Sequence, residues 1–210
     1  QVIDTAGFIQ NFAQRHLSRI FRIEGAAGVE FGASEGQVDR VRLKHPRGIS
    51  KLEIQPHHVV FAAGEGNAPL RSAVGLSKRT MQRRPLHMVM VRGKLPVLYG
   101  HCIEGIETRA TITTATDSQG RTVWQLGGQL AEDGVNMSEV ELVDFACQEL
   151  EAVLPGVNFA GAEWAAYRVD RAEEKMAGGM RPAGPTVRKE GNVITVWPTK
   201  LTMVPRLAGV

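Results

Sequence analysis

HHVVFAAGEGN, residues 57–67, is the stretch on which the reading of this chain turns. From His58 to Ala63 it is almost wholly apolar, the composition of a strand covered on both faces, and Gly64 then opens a tight exit. The exit offers the GxGxx beginning of a dinucleotide fingerprint, in which close backbone approach and helix N-terminal amides hold a pyrophosphate. Pro69 stands where a third glycine belongs, however, and a fingerprint opens its βαβ unit whereas this one closes a run of short strands. A primary phosphate site is therefore rejected here.

Toward the start, QVDRVRL (37–43) and KLEIQPHHVVFAAG (51–64) read as strands, linked by the polar turn KHPRGIS (44–50). The Gly-rich stretch GAAGVEFGASEG (25–36) precedes them. Its GASEG fits the GxSxG of a serine-hydrolase nucleophile elbow, which needs a strand before and a helix after. A strand follows instead, so Ser34 reads as a loop residue and a hydrolase is a distant third hypothesis. Earlier still, Asp4 or Thr5 caps a helix in which Ile9, Ala13, Leu17 and Ile20 recur at helical spacing with Phe8 and Phe12 alongside, to about Phe21. Because the chain opens with Gln1, on a helix with no strand in front of it, its beginning is expected to be missing.

Toward the end the texture becomes antiparallel: HMVMV (87–91), LPVLYGHCI (95–103), RATITTAT (109–116) and RTVWQL (121–126), the last two joined by a hairpin turn at Asp117 to Gly120. Ser138 and Glu141 form a capping box, and Leu142, Val143, Ala146, Leu150, Val153 and Leu154 line one side of a helix that Pro155 and Gly156 end. A strand EWAAYRVD (163–170), a loop AGGMRPAGP (177–185), a strand NVITVW (192–197) and a short helix after Pro198 follow.

With 210 residues, 43% hydrophobic and 22% charged, the chain buries a core in one or two domains and is not disordered. The +3 balance of 25 basic against 22 acidic residues does not argue for nucleic acid. No apolar run approaches the roughly 20 residues of a membrane helix, and no signal peptide opens the chain, so a cytoplasmic location is the default. Cys102 and Cys147 form no CxxC pair, and His16, His57, His58, His87 and His101 lie at no metal-ligand spacing, so no metal is expected. His101, beside Tyr99, is kept as a pocket candidate. Charge is uneven: Arg71 to Lys94 holds seven basic residues and no acidic one, while 129–167 holds eight acidic and no basic. Either these are two solvated faces, or the basic segment attracts an anionic ligand or partner.

Two junctions carry chemistry. In AGGMRPAGP, Gly178 and Gly179 permit unusual backbone geometry, Pro182 biases Arg181 toward an extended conformation and Pro185 stiffens the exit. A guanidinium held still either grips a carboxylate or phosphate with its planar fork, or braces the turn through backbone carbonyls. In WPTKLT (197–202) a strand meets a helix, so free amides face forward and Lys200 reinforces their positive end.

Taken in order, HHVVFAAGEGN, an antiparallel sheet, GMRP, and a strand with WPTKLT opening the last helix, the chain resembles FAD-dependent oxidoreductases of the D-amino-acid oxidase superfamily, with glycine oxidase and glycerol-3-phosphate dehydrogenase among them. The resemblance implies an α+β / α/β fold: an incomplete FAD-binding domain plus a substrate domain with a mixed, mainly antiparallel sheet and flanking helices. Residues 1–80 and 172–210 fall in the FAD-binding domain and 81–171 in the substrate domain. It implies flavin contacts at Ala63, Gly64, Gly179, Thr199, Lys200, Leu201 and Thr202, and substrate contacts at Arg181, Tyr99 and His101. Arg181 takes the position of a carboxylate clamp, and Lys200 stabilises negative charge on reduced flavin.

The chain departs from that pattern in three ways. The GxGxxG and the acidic residue for the adenine ribose are absent, and WPTKLT replaces the usual Gly-rich junction. The expectation is thus the C-terminal part of an FAD-dependent oxidoreductase acting on a small, anionic substrate. Alone it binds FAD weakly or not at all, is inactive, and self-associates as a homo-oligomer through an exposed VVFAAG sheet edge. The rival is a non-catalytic β-rich binding module docking an acidic partner on the basic Arg71 to Lys94 face.

Overall fold

The computed structural model describes residues 4–23, 25–45 and 51–209. In chain order these form α1 (Thr5–Gln14), β1 (Val29–Ser34), β2 (Gln37–Lys44), β3 (Lys51–Ile54), β4 (Val59–Phe61) and α2 (Asn67–Ala73). They continue as β5 (Met81–Arg92), β6 (Tyr99–Glu104), β7 (Glu107–Thr116), β8 (Thr122–Gly127), α3 (Gln129–Asp133) and α4 (Glu139–Val153), then β9 (Glu163–Glu174), β10 (Thr186–Glu190) and β11 (Val193–Trp197). The sheets are ordered β1-β2-β3, β10-β11-β4 and β6-β7-β8-β5-β9. The α+β architecture expected from the sequence is the one observed. The chain divides into two compact units, one running to Arg83 and resuming at Ala172, the other Arg84–Arg171.

The Arg84–Arg171 unit follows its hydrophobic pattern closely. Antiparallel register sets Ile112 opposite Leu126, and Leu126 opposite Val89, so all three leave the sheet on one face. On α4, Leu142, Ala146 and Leu150 recur every fourth residue and are fully buried in the same cluster as those three and Trp124. Each large side chain so buried contributes about 1.5–3 kcal/mol. Trp124 keeps its indole satisfied by donating to the Pro96 carbonyl at 2.8 Å. The capping box is present: Ser138 Oγ accepts from the Glu141 amide, and Glu141 accepts from the Ser138 amide at 2.8 Å. At the β7-β8 turn Asp117 accepts from the Gln119 and Arg121 amides, both at 2.9 Å, and from Arg121 Nε. These donors hold its carboxyl down at about 2.

The other unit departs from the sequence reading at several points. The Gly-rich stretch holds a strand, β1, which makes a hairpin with β2 through Glu35 (φ 47°) and Gly36 (φ 82°). The ladder to β2, itself paired with β3, overrides the low strand propensity of its glycine and alanine. β10, α2 and α3 were likewise not foreseen, being too short to show a period. The expected helix to Phe21 ends at Gln14, with Asp4 as its N-cap, and it buries none of its residues; Phe12 is 62% exposed. The strand expected to be covered on both faces is only β4. It pairs with β11 on one side, Phe61 alone of its three residues is buried, and Val60 is 58% exposed. Most of the expected turn KHPRGIS lies outside the described residues.

Asn192, in the β10-β11 turn, ties this unit together. Its side chain exchanges two 2.8 Å hydrogen bonds with the Val38 backbone, and its carbonyl accepts from the Val59 amide at 3.0 Å. A side chain on neighbouring Gly191 (φ 58°) would sit 2.4 Å from the Gly36 carbonyl oxygen, so the close approach requires glycine. Among the described residues no helix is long and apolar enough to cross a membrane, no cluster of ligating side chains suits a metal, and both cysteines are unpaired.

Candidate functional site

The parallel pairing of β4 with β11 sets Phe61 beside Thr195, so the two strands leave the sheet side by side and in the same direction. Clefts beyond the carboxyl ends of parallel strands are the usual ligand sites of such sheets. One strand continues into Ala63 and Gly64, the other into Trp197 to Thr202, so this edge gathers Ala63, Gly64, Thr199, Lys200, Leu201 and Thr202. Asn67, fully buried at the head of α2, joins the two exits. Its Oδ1 accepts from the Ala63 amide at 2.8 Å and its Nδ2 donates to the Val196 carbonyl at 3.0 Å. Gly64 adopts φ 59° and the space around its Cα on the side-chain side is open.

The second exit is strained. Thr199 has φ 59°, a left-handed conformation that costs a β-branched residue on the order of 1–3 kcal/mol. It is stabilised locally: Thr199 Oγ1 and the Lys200 amide both donate to the Pro198 carbonyl, at 2.7 and 2.6 Å, and the Met203 amide to that of Lys200 at 2.9 Å. A 3₁₀ helix over Leu201–Gly209 follows, where the sequence suggested an ordinary short helix. Lys200 is exposed and has no ion pair among the described residues.

The Arg181 loop reaches this edge through β10, because Thr186 pairs with Trp197. Gly178 (φ 67°) and Gly179 (φ 70°) form the turn over Ala177–Gly179. Gln82 spans it: Nε2 donates to the Met180 carbonyl at 2.9 Å, and Oε1 accepts from the Met176 amide at 3.2 Å. Arg181, 37% exposed, braces no backbone carbonyl among the described residues. Its one neighbour of opposite charge there is Glu173, fully buried on β9, with Oε1 3.9 Å from Arg181 Nε. Asn67, Gln82 and Glu173 were all missed in the sequence. Asn67 follows directly on GEG and was legible there, whereas Gln82 has no local signal and Glu173 hides in the charged run DRAEEK.

In the other unit Tyr99 and His101 lie on the face of the sheet opposite the apolar core. Register aligns them with Thr113 and Thr111, and Thr113 with Gln125. His101 Nδ1 is 2.9 Å from Thr111 Oγ1, and Gln125 bonds the Tyr167 hydroxyl. A cavity of about 360 Å³ in this unit holds none of the expected site residues; Glu104, Glu107, Arg109, Asp133, Phe145 and Glu149 line it. Arg109 grips Glu149 with two nitrogens, and this hydrogen-bonded cation holds the Glu149 carboxyl below its usual range; Arg109 also lies 3.2 Å from Glu104. His87 is a core histidine, 3.1 Å from the Gly134 carbonyl.

Of the seven basic residues between Arg71 and Lys94, four face acidic partners within the chain, while Lys78, Arg79 and Lys94 are exposed. Arg71 is fully buried, donating to the Ser77 carbonyl at 2.9 Å and to Thr195 Oγ1 at 2.8 Å, with Glu190 Oε2 2.6 Å from its Nη2. Arg83 faces Glu65 at 3.7 Å, Arg84 faces Glu132 at 3.8 Å, and Arg92 is held by Asp117 and Glu163. The partners of these cations lie far along the chain, where charge spacing alone does not reveal them.

No family model matches the chain. It is 43% identical over 163 residues, 76% of its length, to the FAD-dependent oxidoreductase PA4991 of Pseudomonas aeruginosa, and spans 42% of that relative. The crystal structure under that name superposes with a TM-score of 0.86 at 34% identity, over 99% of this chain and 57% of the solved one. A glycerol-3-phosphate dehydrogenase from Bacillus halodurans complexed with FAD matches at TM-score 0.45 and 16% identity, over 90% of this chain and 37% of that one. The expected resemblance to FAD-dependent oxidoreductases is borne out, and this chain covers well under two thirds of the relatives it matches.

Proposed function

We propose that this chain is part of an FAD-dependent oxidoreductase of the D-amino-acid oxidase type that oxidises a small carboxylate-bearing substrate in the cytoplasm. The observation that carries the reading is the meeting of the Ala63–Gly64 and Trp197–Lys200 exits at one edge, locked by Asn67. The residues present suit a flavin: the open side of Gly64 admits close approach, and Lys200, which has no ion pair among the described residues, offers a cation to a ring that gains negative charge on reduction. Ala63, Gly64, Gly179, Thr199, Lys200, Leu201 and Thr202 would hold it, the first unit serving as the FAD-binding part and Arg84–Arg171 as the substrate part.

When bound, FAD supplies the two-electron oxidation. The chain contributes orientation and charge. Arg181 directs its Nη edge at the substrate carboxylate, and Lys200 fixes a positive charge at the junction; in the Arg84–Arg171 unit, Tyr99 and His101 offer polar groups on the exposed face of the sheet. No side chain need act as a strong base for this division of labour. The open edge of β4, with Val60 exposed, favours self-association of the isolated chain, checked by sedimentation at high concentration.

Two measurements test the reading. In the full-length flavoprotein, Arg181→Ala weakens binding of substrate and of carboxylate inhibitors by about 10- to 100-fold, the loss of one charge-assisted contact; unchanged affinity refutes the clamp. Mixed with equimolar FAD and desalted, the 210-residue chain emerges nearly colourless, since its sequence lacks the glycine-rich phosphate turn. A yellow chain contradicts the division of the cofactor site between this chain and another segment.

A further inference from the structure

We propose that Glu173 is the positioning residue of the Arg181 clamp, taking the Nε side of the guanidinium so that the Nη1–Nη2 edge is presented to a planar carboxylate. The inference rests on the reading of Arg181 as an anion clamp. Glu173 has no exposed surface, so the fold and not solvent sets where its carboxylate stands. Arg181 Nε lies 3.9 Å from Glu173 Oε1, beyond direct hydrogen bonding but within ion-pair range, and the 37% exposure of the guanidinium makes this a modest orienting attraction. The carboxylate comes from β9, a paired strand, so it is a fixed point toward which Nε is drawn. Gln82 meanwhile fixes the backbone on both sides of the turn.

The geometry has a consequence for ligand class. A guanidinium has two edges on which to bind a carboxylate in bidentate fashion, one using Nε and one using both terminal nitrogens. Glu173 faces the first, and the second meets no hydrogen-bond acceptor or carboxylate among the described residues. Since Glu173 offsets the charge of Arg181, recognition depends on the fit of the fork more than on long-range attraction. The clamp therefore separates a small carboxylate from its neutral amide, and an ion pair made this way is sensitive to the direction of the guanidinium.

The test uses the 210-residue chain with ¹⁵N-labelled arginine, titrated with acetate and with acetamide as its neutral counterpart. Acetate shifts the Arg181 side-chain signals saturably and acetamide does not. Glu173→Gln weakens acetate at least fivefold, and Glu173→Asp, which keeps the charge, recovers part of the loss. Wild-type ¹⁵N relaxation shows a restricted Arg181 Nε, a readout that needs no variant to fold. Free tumbling of Nε, or a Glu173→Gln chain that binds acetate as wild type does while Arg181→Gln does not, overturns the positioning role alone. No saturable acetate shift in wild type, or full binding by Arg181→Gln, removes the clamp itself.

Discussion

Trp124 and Arg71 are both fully buried, and they hold their units by opposite means. Around Trp124 the packing is hydrocarbon: Ile112, Leu126, Leu142 and Leu150, drawn from a sheet and a helix whose periods match. Around Arg71 the apolar cluster is small, Val38, Phe61, Val74 and Val193 with their neighbours. The rest is polar: Arg71 to Thr195 and Glu190, Asn67 to two strand exits, Asn192 to Val38. Hydrophobic burial is non-directional and scales with area. Hydrogen bonds are directional, and each buried partner left unmade costs more than the bond itself contributes. The unit that must aim a guanidinium and a strained turn is thus the one fastened by directional contacts.

The contrast can be broken by experiment. Trp124→Ala has the largest expected effect, about 3–5 kcal/mol from lost burial and a residual cavity, read by urea unfolding followed by circular dichroism; a cost below about 1 kcal/mol would mean that bulk does not hold that unit. Asn67→Ala comes next, at about 2–3 kcal/mol, because it strands the Ala63 amide and the Val196 carbonyl. Amide exchange at Ala63 should accelerate, and unaltered exchange would show that the exits are fastened elsewhere.

Thr199→Gly runs the other way. Relief of the left-handed conformation exceeds the added chain entropy, so the chain gains about 1 kcal/mol and melts a few degrees higher. A lower melting temperature would show that the Thr199 hydroxyl, not its strain, dominates the turn. The smallest effect is at Asp117. Its carboxyl titrates at about 2 in the folded chain, below the ordinary range near 3.9, so its contribution is complete above pH 4 and is lost as pH falls through 2. Carbonyl NMR titration reads this directly, and a midpoint near 4 would remove the turn as a charged lock.

Legibility followed the same divide. The Ser138 capping box, the Asp117 turn and the Leu142–Ala146–Leu150 stripe could be read because their partners lie within eight residues. Arg71 could not, since Thr195 and Glu190 lie more than 110 residues away and a buried cation looks like a surface one in a basic run. The same holds for Glu173, whose charged neighbours suggest a solvated strand, and for Gln82, whose two partners, Met176 and Met180, flank a turn 94 and 98 residues further along the chain. β4 was over-read: an apolar run reports composition, while the number of strands beside it is a property of the sheet.

The residues of this chain determined by themselves the local elements, the antiparallel middle and the positions of the two junctions that carry chemistry, because turn chemistry and hydrophobic period act over a few residues. Only the tertiary structure decided that Ala63–Gly64 and Trp197–Lys200 share one edge, that Arg71 is a buried pin, and that Arg181 faces Glu173. Each depends on which distant groups meet out of water, where charge and hydrogen-bond direction are strongest and sequence distance carries no information.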